Sequence, residues 1–121
     1  MAEAQRQKPS DIVAQHLAAA RTAFDSAEGL PGAVDAALKT HYAVKVAQLQ
    51  ITMAFWNDER DKLGPITSLN MAERQVEAAL AAVPEPRARG GLPANISLRL
   101  EFALTIVEKS RDRLVEYDPR D

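Results

Sequence analysis

The chain of 121 residues contains no cysteine. That excludes disulfides, thiol nucleophiles and thiolate-held zinc or iron–sulfur centres, and it fits a reducing compartment. Aromatic residues are scarce: one Trp, two Tyr and three Phe. Sandwiches draw on aromatic and β-branched residues to cover a pleated face, so this scarcity, beside abundant alanine, argues for close-packed helices. The five glycines fall in no P-loop, dinucleotide-binding or Gly-x-Ser-x-Gly pattern. No apolar run approaches the roughly 18 residues of a membrane span. The N-terminal MAEAQRQKPSD lacks the apolar stretch of a secretory leader. Neither sign of charge dominates: 15 basic and 17 acidic residues leave a net charge of −2, without the basic stripe of a nucleic-acid binder. The densest basic patch, Arg87 and Arg89 beside Glu85, reads as a solvated loop. The expectation is a cytoplasmic protein with no nucleic-acid or membrane partner.

What is present is an ordinary globular composition, 46% hydrophobic and 26% charged, long enough for one domain with its own core. Residues 1–9 are polar and expected to be flexible. Ser10, before Asp11, is a candidate N-cap. Ile12, Val13, His16, Leu17, Ala20, Phe24 and Ala27 then recur at helical spacing, predicting a first helix over about 10–28. Glu28-Gly29-Leu30-Pro31-Gly32 stops it. From Ala33 to Leu63 there is neither Gly nor Pro, and Gly64-Pro65 reads as the stop of one long central helix, about 33–63. A third helix is expected over 66–83, with Asn70 and Glu73 resembling a capping box. The segment PEPRARGGLPAN, 84–95, reads as a mobile loop, and Asn95 as the cap of a last helix over 96–117. The fold class is all-α, a four-helix bundle with the second and fourth helices at its centre and the first and third covering one side of that pair.

The stretch VKVAQLQITMAFW, residues 44–56, alternates like a strand. Its flanks are unbroken helix formers, and the alternation slips between Val46 and Leu49, so the helix is preferred. At 100° per residue, Leu38, Tyr42, Val46, Leu49, Met53, Trp56 and Leu63 share one sector, and Val44, Ile51 and Phe55 lie opposite. The last helix repeats this arrangement: Ile96, Leu100, Ala103, Val107, Ser110, Leu114 and Tyr117 follow a four-three spacing, with Leu98 and Phe102 on the far side. A helix on the outside of a monomeric bundle needs one apolar face. The larger stripes are therefore expected to form the core. Val44, Ile51, Phe55, Leu98 and Phe102 are expected to form a protein interface, most simply between two copies of the chain.

Chemistry-bearing residues are few. His16 sits on the apolar face of the first helix, with no carboxylate three or four residues away to complete a metal pair, and reads as a packing residue. Asp58 and Asp61 share a face within the run Asn57–Lys62, but the interleaved cations favour a salt-bridged helix end. Glu73 with Glu77, and Glu101 with Glu108, read as solubilising pairs. No Glu-x-x-His occurs, which argues against a carboxylate-bridged di-metal bundle. Neither a cofactor nor a metal is expected.

The phrase THYAVK around His41 resembles the phosphoacceptor region of histidine-phosphotransfer domains, which are helical bundles of similar size. The resemblance covers about six residues and implies His41 as phosphoacceptor with Lys45 beside it. It departs from the family in placing Lys four residues after His rather than three, and Val46 where a small residue allows a response regulator to approach. The tail YDPRD, with Tyr117 and Asp121, resembles the Tyr-x-x-x-Asp export tail of small secreted helical hairpins. That family's Trp-x-Gly turn is replaced here by Trp56-Asn57-Asp58. The reading that the residues favour is a small non-enzymatic interaction protein: an adaptor, an assembly factor or a phage or mobile-element accessory protein. The alternatives are phosphotransfer through His41 and a small-ligand pocket walled by Trp56, Tyr42 and Phe24.

Overall fold

Four helices follow one another in a computed structural model that describes residues 7–82 and 94–117. They are α1 Pro9–Asp25, α2 Gly29–Ala54, α3 Glu59–Ala82 and α4 Ala94–Tyr117. The all-α four-helix bundle expected from the sequence is the fold observed. Of the segments expected to be flexible, 1–6 and 84–93 lie outside the described residues, as does the tail 118–121. Pro9 belongs to α1, and Ala94 and Asn95 open α4. No helix among the described residues is long and apolar enough to cross a membrane.

Ser10, expected as a cap, lies inside α1 and is buried. The N-cap is Lys8 in extended backbone, and Pro9 stands in the first turn with Asp11. A proline there has a preset φ and lacks only an N–H that would have no helical partner. At the other end the Ser26 hydroxyl donates to the Thr22 carbonyl at 2.7 Å. The stop that follows is real but short. Gly29, at φ +68°, turns the chain and α2 begins there, four residues before the expected start at 33. A Cβ on Gly32 would meet the Ala27 backbone at 3.1 Å, so this glycine lets α2 leave close against the end of α1.

The largest departure is the α2–α3 junction. The expected helix over 33–63 breaks at Phe55–Asp58, and α3 runs straight through Gly64 and Pro65. Asn57 and Asp58 supply the turn chemistry. The Asp58 N–H donates to the Phe55 carbonyl, and the Asp58 carbonyl accepts from the Lys62 N–H, both at 3.0 Å. Asp58 and Glu59 therefore stand at the N-terminal end of α3, where negative charge complements the helix dipole. The charged run that reads as the close of one helix opens the next. Gly-Pro is tolerated inside α3 because Gly64 has no Cβ to collide with the Pro65 ring.

α2 and α4 pack against each other and each packs against both α1 and α3, whereas α1 and α3 do not meet. The expected central pair is therefore observed, but α1 and α3 cover opposite sides of it rather than one. α2 lies against three helices at once, and its inner face is correspondingly small: Ala33, Ala36, Ala37, Thr40, Ala43, Val44, Ala47 and Ile51 are all buried. Interaxial distance follows the size of the side chains at the contact, so alanine permits this crowding. α4 supplies the bulk opposite with Leu100, Leu104, Val107 and Leu114.

This packing inverts the face assignment on α2. Leu38, Tyr42, Leu49, Met53 and Trp56, expected in the core with Leu63, are exposed, and Val46 is half-buried. Val44, Ile51 and Phe55, expected to form an intermolecular interface, are buried inside their own chain. Their burial corrects that part of the interface. Phe55 caps α2, with its N–H bonded to the Ile51 carbonyl and the Arg113 guanidinium 5.5 Å from the centre of its ring.

Candidate interaction surface

The outer face of α2 follows from the inner one. Once the alanine side faces the bundle, helical periodicity places the large residues outside. Leu38, Tyr42, Leu49, Met53 and Trp56 are each between 52% and 65% exposed. With half-buried Val46, the run Tyr42–Val46–Leu49–Met53 steps 4, 3, 4 along α2, the spacing of a coiled-coil seam, and Trp56 follows in the turn beyond Ala54. Scattered apolar residues are normal on a protein surface; here the exposed ones line up as a ridge.

Both borders of the ridge are ordered. Towards α1, the His16 ring stacks on Tyr42 with centroids 4.9 Å apart and planes 12° from parallel. His16 is thus the half-buried packing residue its position suggests. On α2 itself Lys39 pairs with Asp35 at 3.3 Å. Towards α3, Lys45 pairs with Glu73 at 2.8 Å. The Gln48 amide donates to Glu73 at 3.0 Å and to Asn70 at 3.1 Å. At the end of the ridge Lys62 reaches back over Trp56, 5.7 Å from the centre of its ring.

The same border holds the polar feature of the surface. His41 on α2 and Glu73 and Glu77 on α3 bring their imidazole nitrogen and carboxylate oxygens within 4.8 Å of one another. Hydrogen bonds from the Lys45 ammonium, and then from the Gln48 amide, hold the Glu73 carboxyl below its ordinary value of 4.5. The positive charge of Lys45 and a smaller effect of His41 act in the same direction, while partial burial opposes them. His41 and Lys45, grouped by sequence alone, are therefore neighbours, but Lys45 is engaged by Glu73. Glu73 and Glu77, which read as a solubilising pair in the sequence, meet His41 from another helix. The one signal available was the i,i+4 spacing of Glu73 and Glu77.

Leu98 and Phe102, expected in the same interface as Val44, Ile51 and Phe55, are exposed on α4 on a different surface. Phe102 lines a cleft of about 410 Å³ between α3 and α4, with Met71 and Pro65 across from it, and it also borders a second depression with Leu98. Trp56 and Tyr42 point outward, and Phe24 is half-buried in α1, so these three do not enclose a pocket together. Comparison with known protein families, characterised proteins and solved structures finds no match.

Proposed function

We propose that this chain is a small non-enzymatic helical interaction protein, an adaptor or assembly factor of the cytoplasm, and that it pairs with a second copy of itself through the outer face of α2. The observation that carries this is the exposed seam from Tyr42 to Met53 on α2, extended by Trp56 in the turn that follows. An aromatic side chain offers about 150–250 Å², and five large apolar residues, each more than half exposed, present on the order of 500–600 Å² per copy. Two copies would bury on the order of 1,000–1,200 Å², which reaches the roughly 1,000 Å² that a specific interface requires. A seam at four-three spacing is complementary to itself about a two-fold axis. Its borders carry the ion pairs Lys39–Asp35 and Lys45–Glu73, so a second copy meets mixed signs rather than like charge. A phosphoryl group on His41 would stand against the Glu73 and Glu77 carboxylates, a like-charge arrangement that argues against the phosphotransfer alternative.

The test is light scattering with sedimentation from about 1 to about 100 μM, a range that brackets ordinary dimer affinities. The wild type should pass from monomer to dimer, and the Leu49→Lys, Met53→Lys double variant should remain monomeric with unchanged helicity. Trp56, the only tryptophan, should shift its emission to the blue as the dimer forms. A wild type that stays monomeric across the range refutes the proposal.

A further inference from the structure

The cluster of His41, Glu73 and Glu77 supports an inference separate from the apolar seam. We propose that these three side chains form a divalent transition-metal site spanning α2 and α3, with Zn²⁺ as its natural occupant. Glu73 and Glu77 are one turn apart and so share a face of α3. His41 meets them from α2, with all three donor atoms within 4.8 Å. Ligands of tetrahedral zinc, at about 2.0–2.2 Å from the metal, stand on the order of 3.4 Å from one another. Closing the cluster on an ion therefore needs side-chain rotation of about an ångström. An imidazole nitrogen with two carboxylate oxygens suits zinc and its neighbours in the first transition row, whereas Mg²⁺ and Ca²⁺ take oxygen ligands alone. Three protein ligands leave a fourth position open, as in sites where zinc takes up water or a further ligand.

The surroundings orient the cluster. Glu73 Oε2 accepts from Lys45 at 2.8 Å and Oε1 from Gln48 at 3.0 Å. Each carboxylate oxygen has a second lone pair, so these bonds leave the group able to coordinate while fixing its direction. Lys45 has a second effect. Its positive charge opposes the cation, so the site should be weaker than its ligand set alone would make it. That gives the proposal a signature that a merely structural ion pair lacks: removing Lys45 should tighten binding.

The experiment is calorimetric titration of the full chain with Zn²⁺, with circular dichroism confirming that each variant is folded. The wild type should take up one Zn²⁺ per chain. His41→Ala and Glu77→Gln should each weaken binding by roughly tenfold or more. His16→Ala, at the other histidine, should leave it unchanged, and Lys45→Gln should tighten it several-fold. No uptake by the wild type at about 100 μM Zn²⁺, a level that saturates ordinary three-ligand sites, overturns the proposal, as does His41→Ala binding with wild-type affinity. Half a Zn²⁺ per chain would place the ligands across two copies and overturn the intrachain site. Displacement by millimolar Mg²⁺ would reduce the cluster to an acidic patch.

Discussion

Replacing Ile51 by Ala and, separately, Leu49 by Ala tests which side of α2 faces the bundle. Ile51 is fully buried and Leu49 is more than half exposed. Ile51→Ala removes three carbons, about 2.4 kcal/mol of transfer free energy at about 0.8 kcal/mol per buried CH₂. A cavity that fails to collapse adds up to about 2 kcal/mol, from roughly 80 Å³ at about 24 cal/mol per Å³. The expected loss is therefore about 2.4–4.4 kcal/mol. At a urea dependence of about 1.5 kcal/mol per M, the midpoint falls by roughly 1.5–3 M. Leu49→Ala gives up contacts that are half solvated already and should cost under about 1 kcal/mol within one chain. The assay is urea unfolding followed by far-ultraviolet circular dichroism, diluted until the midpoint no longer depends on protein concentration. At higher concentration the wild-type midpoint should rise through dimer formation, and Leu49→Ala should flatten that rise while Ile51→Ala lowers the whole curve. If Ile51→Ala fails to fold, Ile51→Val should still cost about 0.5–1.5 kcal/mol. The reasoning is refuted if, in the dilute limit, Leu49→Ala destabilises as much as Ile51→Ala. The large stripe would then be the core.

Two further outcomes follow from the junction and its border. Pro65→Ala restores an amide donor inside α3 and should raise the melting temperature by several degrees, for a gain of about 1 kcal/mol or more. A fall would mean that the helix break is at 64–65 and not at 55–58. Because Glu73 is held below its ordinary value of 4.5, the stability it contributes is complete above that pH and is lost as pH falls through the lowered value. Lys45 is half exposed, so the contribution is at most about 1 kcal/mol. The melting temperatures of wild type and Glu73→Gln should differ near neutral pH and converge as pH falls below that lowered value. A gap that persists there excludes the ion pair as its source.

The existence and order of the four helices were legible because helical spacing runs the length of each. The central pairing of the second and fourth was legible too, since those helices are apolar on two sides. The boundary at 55–58 was hidden by a stronger punctuation mark nearby. Gly64-Pro65 is a stop signal in isolation, but within α3 the glycine accommodates the proline. The inversion of α2 has a different origin. Large apolar side chains dominate any estimate of a buried face, so Leu49, Met53 and Trp56 outweighed Ala36, Ala43 and Ala47. Which face turns inward was decided by three neighbouring helices, and their proximity is not written in α2. For the same reason His41 could be singled out, but not the two carboxylates that meet it from α3.

The alanine face of α2 sets how this chain can change over time. Where the interior is lined by the smallest side chains, enlargement is the damaging substitution: a Leu at position 36, 43 or 47 would push three helices apart, at about 1–3 kcal/mol or more. The bulky residues opposite touch solvent in a single copy and answer only to whatever covers them. Kin of this protein would therefore be recognised by where they keep alanine, while the leucines and aromatics on the outer face of α2 are free to vary.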